Sequence, residues 1–156
     1  MSLTHLLLVI ATLLVMEFAV ALFHRHVMHG FGWAWHASHH EPRKASAWER
    51  NDLYAVVFTA AAIALFALGD PNGPVWWIAF GITLYGLLYG LLHDVLIHRR
   101  LPLAWKPRNR YLQRLIAAHH MHHAVKTREN GVSFGFLYAP PVEQLRAELR
   151  RRNGQA

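Results

Sequence analysis

Residues 3–23 read LTHLLLVIATLLVMEFAVALF, an apolar run broken only by Thr4, His5, Thr12 and Glu17. At about 1.5 Å of rise per residue, a helix of this length crosses a hydrocarbon core of about 30 Å. Two further apolar runs occupy residues 53–68 and 75–92, the first of them short for a span. Gly69-Asp70-Pro71-Asn72-Gly73-Pro74 between them is a dense cluster of helix breakers, so these two runs read as a helical hairpin. The pattern predicts an all-α integral membrane bundle with three to four transmembrane helices, at about 3–23, 53–68 and 75–92, forming one domain over residues 1–156. Ala19-Val20-Ala21 looks like a signal cleavage site, but no Lys or Arg precedes the run and Arg25 follows it. Signal peptides have the opposite polarity, so the segment reads as a retained span.

Charge sets the orientation. All 16 Lys and Arg residues fall in 24–52 or 93–156, which three spans place on one side together with seven of the 9 acidic residues. The positive-inside rule makes these two segments a cytoplasmic cap and puts the amino terminus outside, in the manner of a bacterial inner-membrane protein. A basic balance also suits nucleic acid, but that requires a soluble fold, and the apolar spans argue against a nucleic-acid partner. A hydrophobic content of 54% with 16% charged residues excludes a disordered chain. With 0 Cys, disulfides, iron–sulfur clusters, thiolate-held haem and cysteine zinc sites are excluded.

Twelve of the 13 histidines lie in the basic cap. Ten form four groups: His24-x4-His29, His36-x2-His39-His40, His93-x4-His98 and His119-x2-His122-His123. Positions i, i+3 and i+4 lie within about 100° of one another on a helix, so each triplet can aim three imidazoles from one face. Positions i and i+5 diverge by about 140°, so the pairs either serve two neighbouring metals or have a helix end between them. Ten imidazoles exceed the needs of one ion and suit two metals of about five nitrogen ligands each. All-imidazole ligation fits iron, copper, zinc or nickel and disfavours magnesium and calcium. Zinc hydrolysis needs fewer ligands, and there is no H-E-x-x-H. Asp94 beside His93 and Glu41 beside His40 are candidate acceptors for imidazole N–H groups. His26 and His120 fall off the repeating pattern and read as surface or supporting residues, and His5 as interfacial.

The words around the histidines carry a resemblance. They are MHGFGWAWH at 28–36, SHHEPRK at 38–44, NDLYAVVF at 51–58, YGLLY at 85–89, MHHAV at 121–125 and VSFGFLYAPP at 132–141. Together they resemble the fatty acid hydroxylase superfamily of membrane di-iron oxygenases, and within it the bacterial β-carotene 3-hydroxylases. The resemblance implies hydroxylation at C3 of the β-ionone ring, from β-carotene through β-cryptoxanthin to zeaxanthin, with ketolated rings as further substrates. It also implies dioxygen, electrons from ferredoxin, and two irons held by the ten grouped histidines; another divalent metal can occupy such a cage. Iron with dioxygen suits this task because an unactivated ring C–H offers acid–base catalysis no purchase. Alternatives of other kinds are a hydroxylase or desaturase of fatty acyl or sterol substrates, a bis-histidine haem electron carrier, and a metal transporter. Clustered triplets disfavour the haem carrier, and a site at the membrane edge disfavours the transporter.

An apolar substrate is expected to enter from the bilayer. Trp33 and Trp35, between two histidine groups, are candidates for lining its path. Gly81, Gly86 and Gly90 read as helix-packing positions, as in Gly86-x3-Gly90, rather than as a slot. Glu17 shares a helix face with His24 and reads as an interior polar contact. Residues 142–152 form an amphipathic, arginine-rich helix, read as a membrane-surface element.

Overall fold

Ser2 starts the first helix by satisfying the free N–H groups of its first turn. Its Oγ accepts the His5 N–H at 3.3 Å, and His5 Nδ1 accepts the Ser2 N–H at 3.3 Å, a reciprocal capping box. In the computed structural model, which describes residues 1–41, 48–101, 105–152 and 154, this helix is α1, Leu3–Phe23. It runs without a break into a π-helical stretch, His24–Phe31, followed by α2, Trp33–His40. Helix α3 spans Asp52–Leu68. Helix α4, Pro74–Tyr89, opens with a proline whose missing N–H costs nothing in a first turn, and continues into a second π-helical stretch, Gly90–Ile97. Asn109 caps α5, Arg110–His123, by accepting the N–H groups of Tyr111 and Leu112, and α6 spans Val142–Arg152. Among the described residues there is no strand. Arg43 and Lys44, two of the cap's basic residues and part of the 38–44 stretch, lie outside the described residues.

Helix α4 packs against both α1 and α3. A Cβ at Gly81 would lie 2.7 Å from Thr12 Cβ, so glycine is what lets α1 and α4 approach there. Gly86 and Gly90 behave differently from the packing role read for them. A Cβ at either would meet nothing within 4 Å, and Gly86 borders a cavity. Leu7, Leu14, Phe18, Ile63 and Leu87 are exposed, leaving an apolar outer surface that suits lipid. Leu3–Phe31 and Pro74–Ile97 are each long and apolar enough to cross a membrane, while Asp52–Leu68 is shorter. At one end of the bundle His5 stacks on Trp77 with ring centroids 4.4 Å apart.

At the other end lie the polar segments. Leu115 and Ala118 of α5 bury against Val132, Ala139 and Leu145. Leu145 belongs to α6, so the apolar face of that helix is covered by α5 instead of standing free for a membrane surface.

Candidate metal centre

The ten grouped histidines converge at the end of the bundle, and they do so against the helical-wheel expectation. His39, His93, His98, His119 and His123 form one set, with ligating nitrogens within 4.8 Å of one another. His24, His29, His36 and His122 form a second. His40 joins the second, its Nε2 3.2 Å from His36 Nε2. Each H-x4-H pair therefore stays whole, whereas each triplet divides. The pairs stay whole because their backbone is π-helical: i→i+5 bonding, seen in the 2.8 Å contact from the His98 N–H to the His93 carbonyl, returns residues five apart to the same side. The pairs do not serve two neighbouring sets, although the second stretch does end at Ile97, with His98 at its C-cap. The triplets divide because i and i+4 lie about 40° apart on an α-helix while i+3 lies about 60° to the other side. His36 and His40 go one way and His39 the other; His119 and His123 go one way and His122 the other.

Seven of these rings are oriented through Nδ1. His24 donates to the Phe134 carbonyl at 2.9 Å, His29 to Arg128 at 2.9 Å, His40 to Val125 at 2.8 Å and His122 to Val132 at 2.9 Å. His36 donates to Asn51 Oδ1 at 2.7 Å, His39 to Glu49 Oε2 at 2.8 Å and His93 to Asp94 Oδ1 at 2.7 Å. The place considered for Glu41 beside His40 is thus taken by the Val125 carbonyl, and the Glu41 side chain is exposed. Ser133, in the left-handed region at φ 57°, turns the chain between the two carbonyls that hold His122 and His24.

These bonds decide what the cluster is for. A neutral ring that donates through Nδ1 presents only a lone pair at Nε2. Yet Nε2 faces Nε2 at 3.0 Å for His24–His36, 3.2 Å for His29–His122 and 2.9 Å for His39–His93. Lone pairs so placed repel unless a cation lies between them. Two ligands at right angles on an ion with bonds of about 2.0–2.1 Å stand about 3 Å apart, which matches these separations. His123 Nε2 is buried with no hydrogen-bond partner among the described residues, as a ligand nitrogen would be. Protonation offers no relief. Burial drives His36 down to about 3, His40 to about 4 and His123 to about 2, so these rings are neutral near neutral pH. The donor set fits a metal site.

A cavity of about 460 Å³ lies between α1, α3 and α4 and reaches residues that hold or pack on the imidazoles. Met16, Val20, Phe58, Ala62, Phe66 and Ile82 contribute to its walls. Asn51 and Asp94, which hold His36 and His93, also border it, as do Tyr89 and Phe136, whose rings pack on His93 at 4.5 and 5.3 Å. Trp33 and Trp35 are not among the lining residues. Trp33 packs on His29 and His40, and Trp35 on Tyr54, itself a lining residue. His26 and His120 are exposed.

Glu17 has a larger role than an isolated interior contact. Its Oε1 accepts the N–H groups of Phe136, Leu137 and Tyr138 at 2.9–3.0 Å, and its Oε2 accepts the Tyr85 hydroxyl at 2.8 Å. It ties the 132–138 loop, the source of two imidazole-holding carbonyls, to the bundle. A Cβ at Gly135 would lie 2.5 Å from Glu17 Oε1, so only glycine fits this clasp.

The fatty acid hydroxylase family model matches residues 9–139, so this apolar helical bundle, with a histidine cluster that fits a metal, belongs to that family. It is 56% identical over 149 residues to a β-carotene hydroxylase of Pantoea ananas, covering 95% of this chain and 85% of that one. It is 53% identical over 150 residues to a β-carotene hydroxylase of Paracoccus sp. (strain PC1), covering 95% and 92%. The chloroplastic β-carotene 3-hydroxylase 1 of Arabidopsis thaliana is 36% identical over 149 residues, covering 88% of this chain and 47% of that one. No solved structure matches the chain.

Proposed function

We propose that this chain is a membrane β-carotene hydroxylase, which hydroxylates C3 of the β-ionone ring and takes β-carotene through β-cryptoxanthin to zeaxanthin. The observation that carries the reading is an apolar cavity whose walls include Asn51 and Asp94, which hold His36 and His93, beside ten converging imidazoles. The bacterial β-carotene hydroxylases, similar over nearly the whole chain, support the substrate class. His39, His93, His98, His119 and His123 hold one iron, and His24, His29, His36, His40 and His122 hold the other. Bound iron supplies the activation of dioxygen that an unactivated C–H requires.

The chain's own residues do the rest. Asn51, Glu49, Asp94 and four backbone carbonyls fix the tautomers of seven rings so that each presents its Nε2 lone pair to an ion. Phe58, Ala62 and Phe66 exclude water and hold an apolar ring, while Tyr89 and Phe136 separate it from direct contact with His93. The whole chain acts as one domain with three spans, α3 included. The amino terminus lies outside, and the cap faces the cytoplasm of a bacterial inner membrane. The excess of basic residues on the cap suits an acidic electron donor of the ferredoxin type.

Expression in a β-carotene-accumulating bacterial host with a ferredoxin supply tests this reading. Chromatography should show β-cryptoxanthin and zeaxanthin, and the absence of any hydroxylated carotenoid would overturn it. Gly86→Leu adds a side chain at the wall of the cavity, where a Cβ meets nothing within 4 Å and no histidine is among the lining residues. It is expected to lower zeaxanthin formation about tenfold or more while bound metal stays unchanged.

A further inference from the structure

The two imidazole sets are not backed alike. In one, His39 and His93 donate their Nδ1 protons to the carboxylates of Glu49 and Asp94. In the other, all five Nδ1 acceptors are neutral: four backbone carbonyls and the Asn51 amide oxygen. The surroundings keep the contrast. Behind the first set Arg100 lies 2.8 Å from Asp52, 3.6 Å from Asp94 and 3.7 Å from Glu49, one guanidinium against three carboxylates. The Lys126 ammonium, which donates to the His40 carbonyl at 2.8 Å, acts on both His40 and His123 and so favours neither set, and the exposed Glu129 pairs with Arg128.

A carboxylate that accepts an imidazole N–H lends the ring imidazolate character and strengthens its other nitrogen as a donor to a cation. We infer that Glu49 and Asp94 make the two metal positions unequal, so that the set containing His39 and His93 fills first and holds its ion more tightly. This rests on the two-metal reading above. Glu49 and Asp94 are positioning residues in this scheme, acting on the ion through His39 and His93.

Titrating metal-free protein in detergent micelles with cobalt(II), followed by visible absorption and a competing chelator, tests it. The wild-type chain should show two steps separated by about 10- to 100-fold in affinity. His98→Ala should remove the tight step and His24→Ala the weak one. Glu49→Gln with Asp94→Asn should weaken the tight step alone. Asn51→Asp supplies a carboxylate to His36 and should strengthen the weak step, so it decides the matter even if the double variant does not fold. Two equal steps in the wild type, or a weak step unmoved by Asn51→Asp, would overturn the inequality. Uptake of fewer than two ions would overturn the two-metal reading itself.

Discussion

Protein carrying His36→Ala and His122→Ala is expected to bind about one metal ion per chain instead of about two, and to form no zeaxanthin above about a thousandth of the wild-type level. Both rings belong to the set that includes His24 and His29. They face His24 and His29 through Nε2, so removing them leaves those two nitrogens without the ion-sharing neighbours their geometry implies. The change also strands the Asn51 amide and the Val132 carbonyl, which lose the N–H groups they accept. Metal analysis and carotenoid chromatography on the same preparation read both effects. His26→Ala with His120→Ala is the matched control. Both of those rings are exposed, and the pair should leave metal and product unchanged. Full hydroxylation by the His36/His122 variant would rule out a mechanism that depends on this set.

Glu17→Ala should come next in size. It removes the acceptor for three loop N–H groups and the Tyr85 hydroxyl, and each buried group left unsatisfied costs about 1–3 kcal/mol. The loop it releases carries the Phe134 and Val132 carbonyls that hold His24 and His122, and the Phe136 ring that packs on His24 and His93. Product formation is expected to fall about 100-fold. Glu17→Gln keeps an oxygen for the three N–H groups and offers an amide donor to the Tyr85 oxygen, so it should recover most of that loss. Equal damage from Gln and Ala would mean that the negative charge, not the loop clasp, is what Glu17 contributes.

The apolar helices and the ten histidines were legible because each depends on residues close in sequence. Apolar runs state their own length, and a recurring spacing needs no tertiary contact to be seen. What holds the imidazoles was mostly illegible. Asp94 neighbours its histidine, but Glu49 lies ten residues from His39, Asn51 fifteen from His36, and the Phe134 carbonyl 110 from His24. Four of the acceptors are backbone carbonyls, which no side-chain identity can announce. The division of the histidines into sets differs from a helical wheel for a related reason. A helical wheel presumes α geometry, and π-helical stretches invert which neighbours share a side. The five-residue spacing itself, repeated twice at span ends, was the available signal.

Those two stretches tie backbone register to ligation. His24 and His29, like His93 and His98, point to a common centre only while the peptide groups keep their wider bonding ring. Rewinding either stretch into ordinary α-helix would swing one imidazole of the pair about 140° from the other. A helix of wide turns is the less stable form of an isolated chain. The ion and the unusual winding are therefore linked equilibria, each favouring the other: a bound ion acts as a clamp on helix pitch, and pitch in turn sets the bite presented to the ion.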